Sequence, residues 1–405
     1  MRRFEEGEPP EPEPVEYEPA SVKDHLVEMK DTAELLIDLA YSAVLHGNPT
    51  IAREVLALER RMDRLQMRAR MSLMLAARNP DETERLAPVL GIIGGADKIS
   101  DAAGDIATTV LDEVSLPEAM REALSEAVEV LVRGQVATDS PYAGRRLLDI
   151  DLESETGVRV IAIRRDEDDW ILNPGPQTYL EAGDVVILRG PDLGMETAYP
   201  ALTGSAHESG DPSEPDVEDL ERAVDSVVLM KNLSELAVDL AYGSVLFGNE
   251  ELAEEVSKVE TEVDALQSRF EAWTLRAAAD TADPIQLRGL IQLGAATEVI
   301  SDAAVEISEG VLRELDVHPV VELAVQESDE IITRTEVRAE SSLDGAAVID
   351  GVPETDVSMS LLAVRRPDQG WILGPDIDET LAPGDIIIGK GTRTSSTEFA
   401  DLGSI

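Results

Sequence analysis

The sequence of 405 residues contains no cysteine, which excludes disulfides, thiolate metal sites and cysteine nucleophiles. Aromatic residues make up only 3% of it, so the core must be built mainly from Leu, Val, Ile and Ala. No uninterrupted apolar run approaches ~18 residues, and nothing reads as a membrane-spanning helix. The first residues, MRRFEEGEPPEPEPVEYEP, carry two arginines but no apolar segment, so they do not read as a secretory signal. Catalytic signatures are also missing: there is no P-loop, no H-E-x-x-H and no G-x-S-x-G. The run GIIGGAD at Gly91 lacks G-x-G-x-x-G spacing and lies in a helical pattern, which argues against a dinucleotide loop. These absences predict a protein that is not an enzyme.

Acid is abundant. The 83 Asp and Glu residues against 34 Lys and Arg give a net charge of -49, and only six of the bases are Lys. Such a surface suits a cytosol of molar salt, where the Debye length falls to ~3 Å and repulsion among surface carboxylates is screened. A halophilic, cytoplasmic source accounts for most of the charge. The same charge argues against nucleic acid or anionic membrane as a direct partner.

Along the chain, residues 1–20 are rich in Glu and Pro and read as an extended lead. Helical periodicity follows from Val22 to a break at Gly47, then over about 50–78, 82–114 and 117–132, with Pro, Gly or Asn at each break. This predicts an antiparallel helical bundle over 21–135. The texture then changes: GVRVIAIRR, WIL and DVVILRG read as strands around a turn-forming NPGPQTYLEAGD, predicting a small α+β domain over 136–203. Short helices are placed near 144–152 and after Pro191, and residues 204–216 read as a linker. The arrangement then repeats, with a second bundle over 217–336 and a second small domain over 337–405. Tyr41 matches Tyr242, Arg164 matches Arg365, Trp170 matches Trp371 and Gly183 matches Gly384, always at an offset of 201. The fold class is therefore α+β multidomain, a tandem duplication of a bundle plus a small α+β domain.

Among the acids one arrangement stands out. Asp97, Asp101 and Asp105 follow one another at a spacing of four on one helix face, and Glu298, Asp302 and Glu306 recur 201 residues later. Acidic pairs also occur at Glu34/Asp38 and Glu59/Asp63, with counterparts Glu235/Asp239 and Glu260/Asp264. Because acids are one residue in five, a solvated acidic face is the default explanation for any single pair. Pairing with Arg60, Arg61, Arg64 and Lys98 is another, but the second copy has Thr261, Glu262, Ala265 and Val299 there while the acids persist. Asp38 and Asp239 lie in apolar runs, where an unpaired charge would be costly. Acids converging from three helices would call for a hard cation, namely Mg²⁺, Mn²⁺, Ca²⁺ or ferric iron.

The E-x-x-x-D of the second helix and the D-x-x-x-D of the third resemble the PhoU family, whose members bind metal ions through such motifs and regulate phosphate transport. The resemblance covers about 22–135 and 217–336. It implies a ligand set of Glu59, Asp63, Asp97, Asp101 and Asp105, with Glu260, Asp264, Glu298, Asp302 and Glu306. Glu34, Asp38, Glu235 and Asp239 are added from the geometry. Family members usually carry Asn near the end of the third-helix motif, where this chain has Asp105 and Glu306, which leaves the ligand set and the metal open.

The segment TGVRVIAIRRDEDDWILNPGPQTYLEAGDVVILRGP resembles the C-terminal domain of TrkA-type potassium-transport regulators, also called the RCK C-terminal domain. The resemblance covers about 137–203 and 338–402. It implies pairing through the sheets, within a chain or as a homodimer, and a small regulatory ligand, nucleotides among them. Arg164, Arg165, Arg365 and Arg366 close a strand in both copies; they are assigned either to an anionic ligand or to neighbouring acids.

Together these readings predict a cytoplasmic regulatory subunit, held at the membrane periphery through its partner. It would sense a cation or small ligand and control a potassium or magnesium transporter or channel. The alternatives are a PhoU-type adaptor in phosphate signalling and a metal-dependent hydrolase.

Overall fold

A computed structural model describes residues 22–45, 47–76, 79–112, 130–150, 152, 156–165, 169–172, 174–190, 192–207, 218–280, 284–313, 331–349, 352–353, 355, 357, 359–366, 370–373, 380–391 and 393–404. It shows an α+β multidomain protein in which two helical bundles each carry a small antiparallel sheet. The first bundle comprises α1 (Val22–Leu45), α2 (Pro49–Ala76) and α3 (Pro80–Leu111). Its first corner is dictated by three residues. Gly47 takes φ +54, the amide of Asn48 bonds back to Ala43, and the Asn48 side chain caps α2 by accepting from Thr50 at 2.9 Å. Pro49 supplies the first helical position, where a missing N–H costs nothing.

The first sheet is ordered β1-β6-β3-β4, from β1 (Val130–Gln135), β3 (Arg159–Arg164), β4 (Trp170–Leu172) and β6 (Val185–Gly190). A two-stranded ribbon of β2 (Arg145–Arg146) and β5 (Tyr179–Leu180), a helical turn α4 (Leu147–Ile150) and the helix α5 (Asp192–Thr203) complete the unit. Alternation along the strands sends Ala162, Trp170 and Ile187 into the bundle core, while Ile163, Val186 and Leu188 pack with Met195, Ala198 and Leu202 of α5. The sheet is thus sandwiched between its bundle and its own helix.

The second copy repeats this plan. Its bundle is α6 (Glu218–Phe247), α7 (Glu250–Asp280) and α8 (Arg288–Leu312), and its sheet is ordered β11-β10-β12-β7. Those strands are β7 (Ile331–Glu336), β10 (Ser360–Arg366), β11 (Gly370–Leu373) and β12 (Ile386–Gly391), with a ribbon of β8 (Val348–Ile349) and β9 (Val352–Pro353) and a final helix α9 (Arg393–Ser404). Even the irregularities repeat: a register shift falls between Val160 and Ala162 and again between Leu361 and Ala363. The two bundles join through their third helices. A Cβ on Gly91 would sit 2.8 Å from the Glu306 carbonyl oxygen, and one on Gly95 would sit 2.8 Å from that of Ala303. The glycines of GIIGGAD therefore serve close helix packing.

The fourth helix over 117–132 falls largely on residues outside those described, but Val130–Val132 lie in β1, so the first sheet strand lies within the segment assigned to the bundle. β7 does the same in the second copy. The N-terminal lead and most of the linker also lie outside the described residues.

Candidate metal centres and the bundle–sheet junction

The helices α2 and α3 run side by side, and acids at a spacing of four on each meet in the groove between them. Carboxylate oxygens of Asp63, Asp97 and Asp101 lie within 4.8 Å of one another. Glu260, Asp264 and Asp302 gather between α7 and α8 under the same limit; Asp264 and Asp302 match Asp63 and Asp101, whereas Glu260 matches Glu59 and not Asp97. Oxygens bound to opposite sides of one Mg²⁺ or Ca²⁺ lie about 4–5 Å apart, so either triad can embrace one hard cation. The donors are all oxygen, which fits such an ion and not a thiophilic one.

The carboxylates press on one another. Burial and then repulsion from Asp101, Asp63 and Asp105 push Glu59 up to about 7. Burial and Asp101 push Asp97 up to about 6 against the pull of Arg70. Asp63, Asp101, Glu260, Glu298 and Asp302 are also raised, burial leading in every case. Glu59 is wedged against the third helix at Gly104, where a Cβ would come within 2.5 Å of its Oε2. A bound cation would relieve all of these.

Not every acid singled out by sequence joins a triad. Glu59 and Asp105 border the first triad and Glu298 borders the second. Glu306 departs: it faces α3 and pairs with Lys98 of the other copy at 2.5 Å. That lysine also draws on Asp302, so the second triad does have a cation near it, supplied by the first copy. Glu34, Asp38, Glu235 and Asp239 lie elsewhere, on α1 and α6. Lys30 holds Glu34 at 2.5 Å, Lys231 holds Glu235 at 2.7 Å, and Arg189 holds Asp38 at 2.8 Å. Asp239 faces Lys390 and Lys30. Helical spacing alone could not tell which face of the first helix turns toward the third, and it turns away.

The strand-end arginines are engaged by acids. Arg164 reaches Glu54 of α2 at 2.6 Å, and Arg133 of β1 meets the same carboxylate at 2.9 Å. In the second copy Glu255 receives Arg365 twice at 3.0 Å and Arg334 at 3.4 Å, with Lys258 at 2.9 Å. Burial opposes the Glu255 charge, but hydrogen bonds from Lys258 and Arg365 hold its carboxyl below the usual range. Arg165 and Arg366 turn to the buried Asp184 and Asp385, at 3.5 and 3.2 Å. Each of those aspartates also accepts a backbone hydrogen bond at 2.9 Å, from Glu181 or Ala382, bracing the turn whose glycines, Gly183 and Gly384, take φ +97 and +93. Trp170 and Trp371 lie under the guanidinium groups of Arg164 and Arg365, 5.7 and 5.8 Å from the ring centres. Glu54 and Glu255 were not singled out by sequence. Their 201-residue correspondence, together with that of Arg133 and Arg334, was the available signal.

This arrangement of acid-bearing hairpins under a small sheet is matched by known domains. The PhoU domain profile matches residues 26–110 and 227–311, and the TrkA-C domain profile matches 131–203. The chain carries two PhoU domains and a TrkA-C domain. Both are regulatory domains linked to ion transport. The second small domain repeats the strand order of the TrkA-C domain. Among solved structures, the crystal structure of PhoU from Pseudomonas aeruginosa is 13% identical, with 76% of this chain and 96% of that one covered and a TM-score of 0.40. The GsuK RCK domain is 12% identical, covering 76% of this chain and 79% of that one at a TM-score of 0.17. The GsuK channel bound to NAD gives 12%, 76%, 65% and 0.18 in the same terms. No curated protein matches. Among the described residues, no helix is long and apolar enough to cross a membrane.

Proposed function

We propose that the protein is a regulatory subunit that senses a hard cation at its PhoU domains and acts on a membrane transporter or channel for potassium or magnesium. The observation that carries the reading is a carboxylate triad in the same interhelical groove of each copy, Asp63/Asp97/Asp101 and Glu260/Asp264/Asp302, with the pair Asp63/Asp101 recurring as Asp264/Asp302. Cation binding would draw α2 toward α3 and α7 toward α8. The same α2 carries Glu54, two and a half turns before Asp63, so a shift of the helix reaches Arg133 and Arg164 of the sheet. The ion is Mg²⁺, Mn²⁺, Ca²⁺ or ferric iron by donor chemistry. The TrkA-C domain would add a small regulatory ligand, such as a nucleotide, and pair sheets in a homodimer. The PhoU match equally favours an adaptor in phosphate transport signalling, and the test separates the two.

Tagged protein is incubated with solubilised membranes of its own source with Mn²⁺ or with chelator, and the captured permease is identified by mass spectrometry. Capture of a potassium or magnesium transporter that changes with Mn²⁺ is the expected result. A phosphate permease would establish the adaptor instead, and capture indifferent to metal would refute cation sensing.

A further inference from the structure

The acids of α1 and α6 that lie apart from the triads form an arrangement of their own at the centre of the molecule. The helices α1 and α6 contribute the same residues reciprocally. Lys30 sits 5.9 Å from the ring centre of Tyr242, and Lys231 sits 5.8 Å from that of Tyr41. Asp38 faces Arg189 of β6, Glu235 and Lys231 of α6, and Glu34 on its own helix. Asp239 faces Lys390 of β12, Glu34 and Lys30 of α1, and Glu235 on its own helix. Both bundles and both sheets thus meet at two aspartates. Each aspartate has one sheet cation and, from the opposite bundle, one lysine and one glutamate.

Burial, with the opposing glutamates added to it, makes full ionisation costly despite the facing cations. Burial first, and then Glu235 against the pull of Arg189, pushes Asp38 up to about 6; burial and Glu34 push Asp239 up to about 7 against Lys390 and Lys30. Asp38 keeps 17% of its side-chain exposure, which gives protons a path to it.

We infer that Asp38 and Asp239 form a proton-operated latch: a proton taken up at each carboxyl tightens the contact between the two bundles, and its loss strains that contact. The direction follows from linkage. The folded carboxyls hold protons at a pH where the unfolded ones, at about 4, have lost them. The junction therefore contributes most stability below that value and loses it as pH rises through 6 and 7. This is opposite to ordinary acid denaturation. It would let a transport regulator respond to proton concentration as well as to a metal, and it does not rest on the metal reading.

The test compares the full chain with the variant Asp38→Asn/Asp239→Asn, in chelator and fixed molar KCl, from about pH 8 down to about pH 5.5. The triads titrate alike in both proteins, so the difference between the two isolates the junction. The variant is expected to melt a few degrees above the natural chain at the high end and to converge with it at the low end. A variant less stable at high pH, or a difference that does not change with pH, would overturn the latch. Should the variant fail to fold, hydrogen exchange on the natural chain decides. Amides of α1 and α6 near Asp38 and Asp239 must gain protection on acidification, after correction for the intrinsic rate. Unchanged or reduced protection refutes the inference.

Discussion

Two tyrosines at equivalent positions of the duplication meet different neighbours. The Tyr41 hydroxyl lies 2.6 Å from Thr297 Oγ1, whose own proton goes to the Leu293 carbonyl at 2.7 Å, so Tyr41 is the donor. Thr297 corresponds to Ala96, and the buried Tyr242 hydroxyl has no hydrogen-bond partner among the described residues. Removing a satisfied hydroxyl costs about 1 kcal/mol, whereas removing an unsatisfied one does not. Tyr41→Phe should therefore destabilise by that amount in urea unfolding while Tyr242→Phe is neutral or stabilising; equal losses would contradict the assignment. The Thr/Ala difference could be read from the sequence. That the tyrosine of one copy reaches the third helix of the other could not, because the duplication says nothing about how its halves face.

At the scale of elements, each sheet is docked by one glutamate holding two arginines. Replacing Glu54 with Gln leaves Arg133 and Arg164 largely buried around a neutral group, a loss on the order of 3 kcal/mol for a broken buried pair. Trp170 is 7% exposed at this seam, so its fluorescence should shift to the red in the same variant, and Glu255→Gln should do the same through Trp371. An unchanged emission spectrum would show that apolar packing alone holds the sheets. The long helices were legible because Pro, Gly and Asn mark their ends. β1 was not, because VLVRGQ continues from a helical pattern with no turn residue before it, and a short apolar run has no decisive period. The arginine pairs were legible as a repeated feature, but their partners were not. Glu54 lies 110 residues from Arg164, and no local pattern connects them.

For the molecule as a whole, 83 acids hide the few that converge. The same spacing of four occurs on α1, α2 and α3, but among the described residues only the α2–α3 groove and its counterpart between α7 and α8 gather carboxylates into triads. The acids of α1 and α6 instead serve the seam between copies. The duplication thus separates two placements of one motif, carboxylate triads at the outside and ion pairs at the centre. On the proposed reading protons and metal would compete at the first triad: Asp97 within it and Glu59 beside it, raised to about 6 and 7, must ionise before a cation is held well. Metal affinity should consequently fall as pH drops through that interval, and a pH-independent affinity would speak against these ligands. The most direct measurement is calorimetric titration with Mn²⁺ at fixed molar KCl, near pH 8, of the natural chain, Asp101→Asn, Asp302→Asn and the double variant. The account predicts one ion per triad in the natural chain, loss of one in each single variant and of both in the double. A natural chain that binds nothing, or a double variant that binds as the natural chain does, would contradict it.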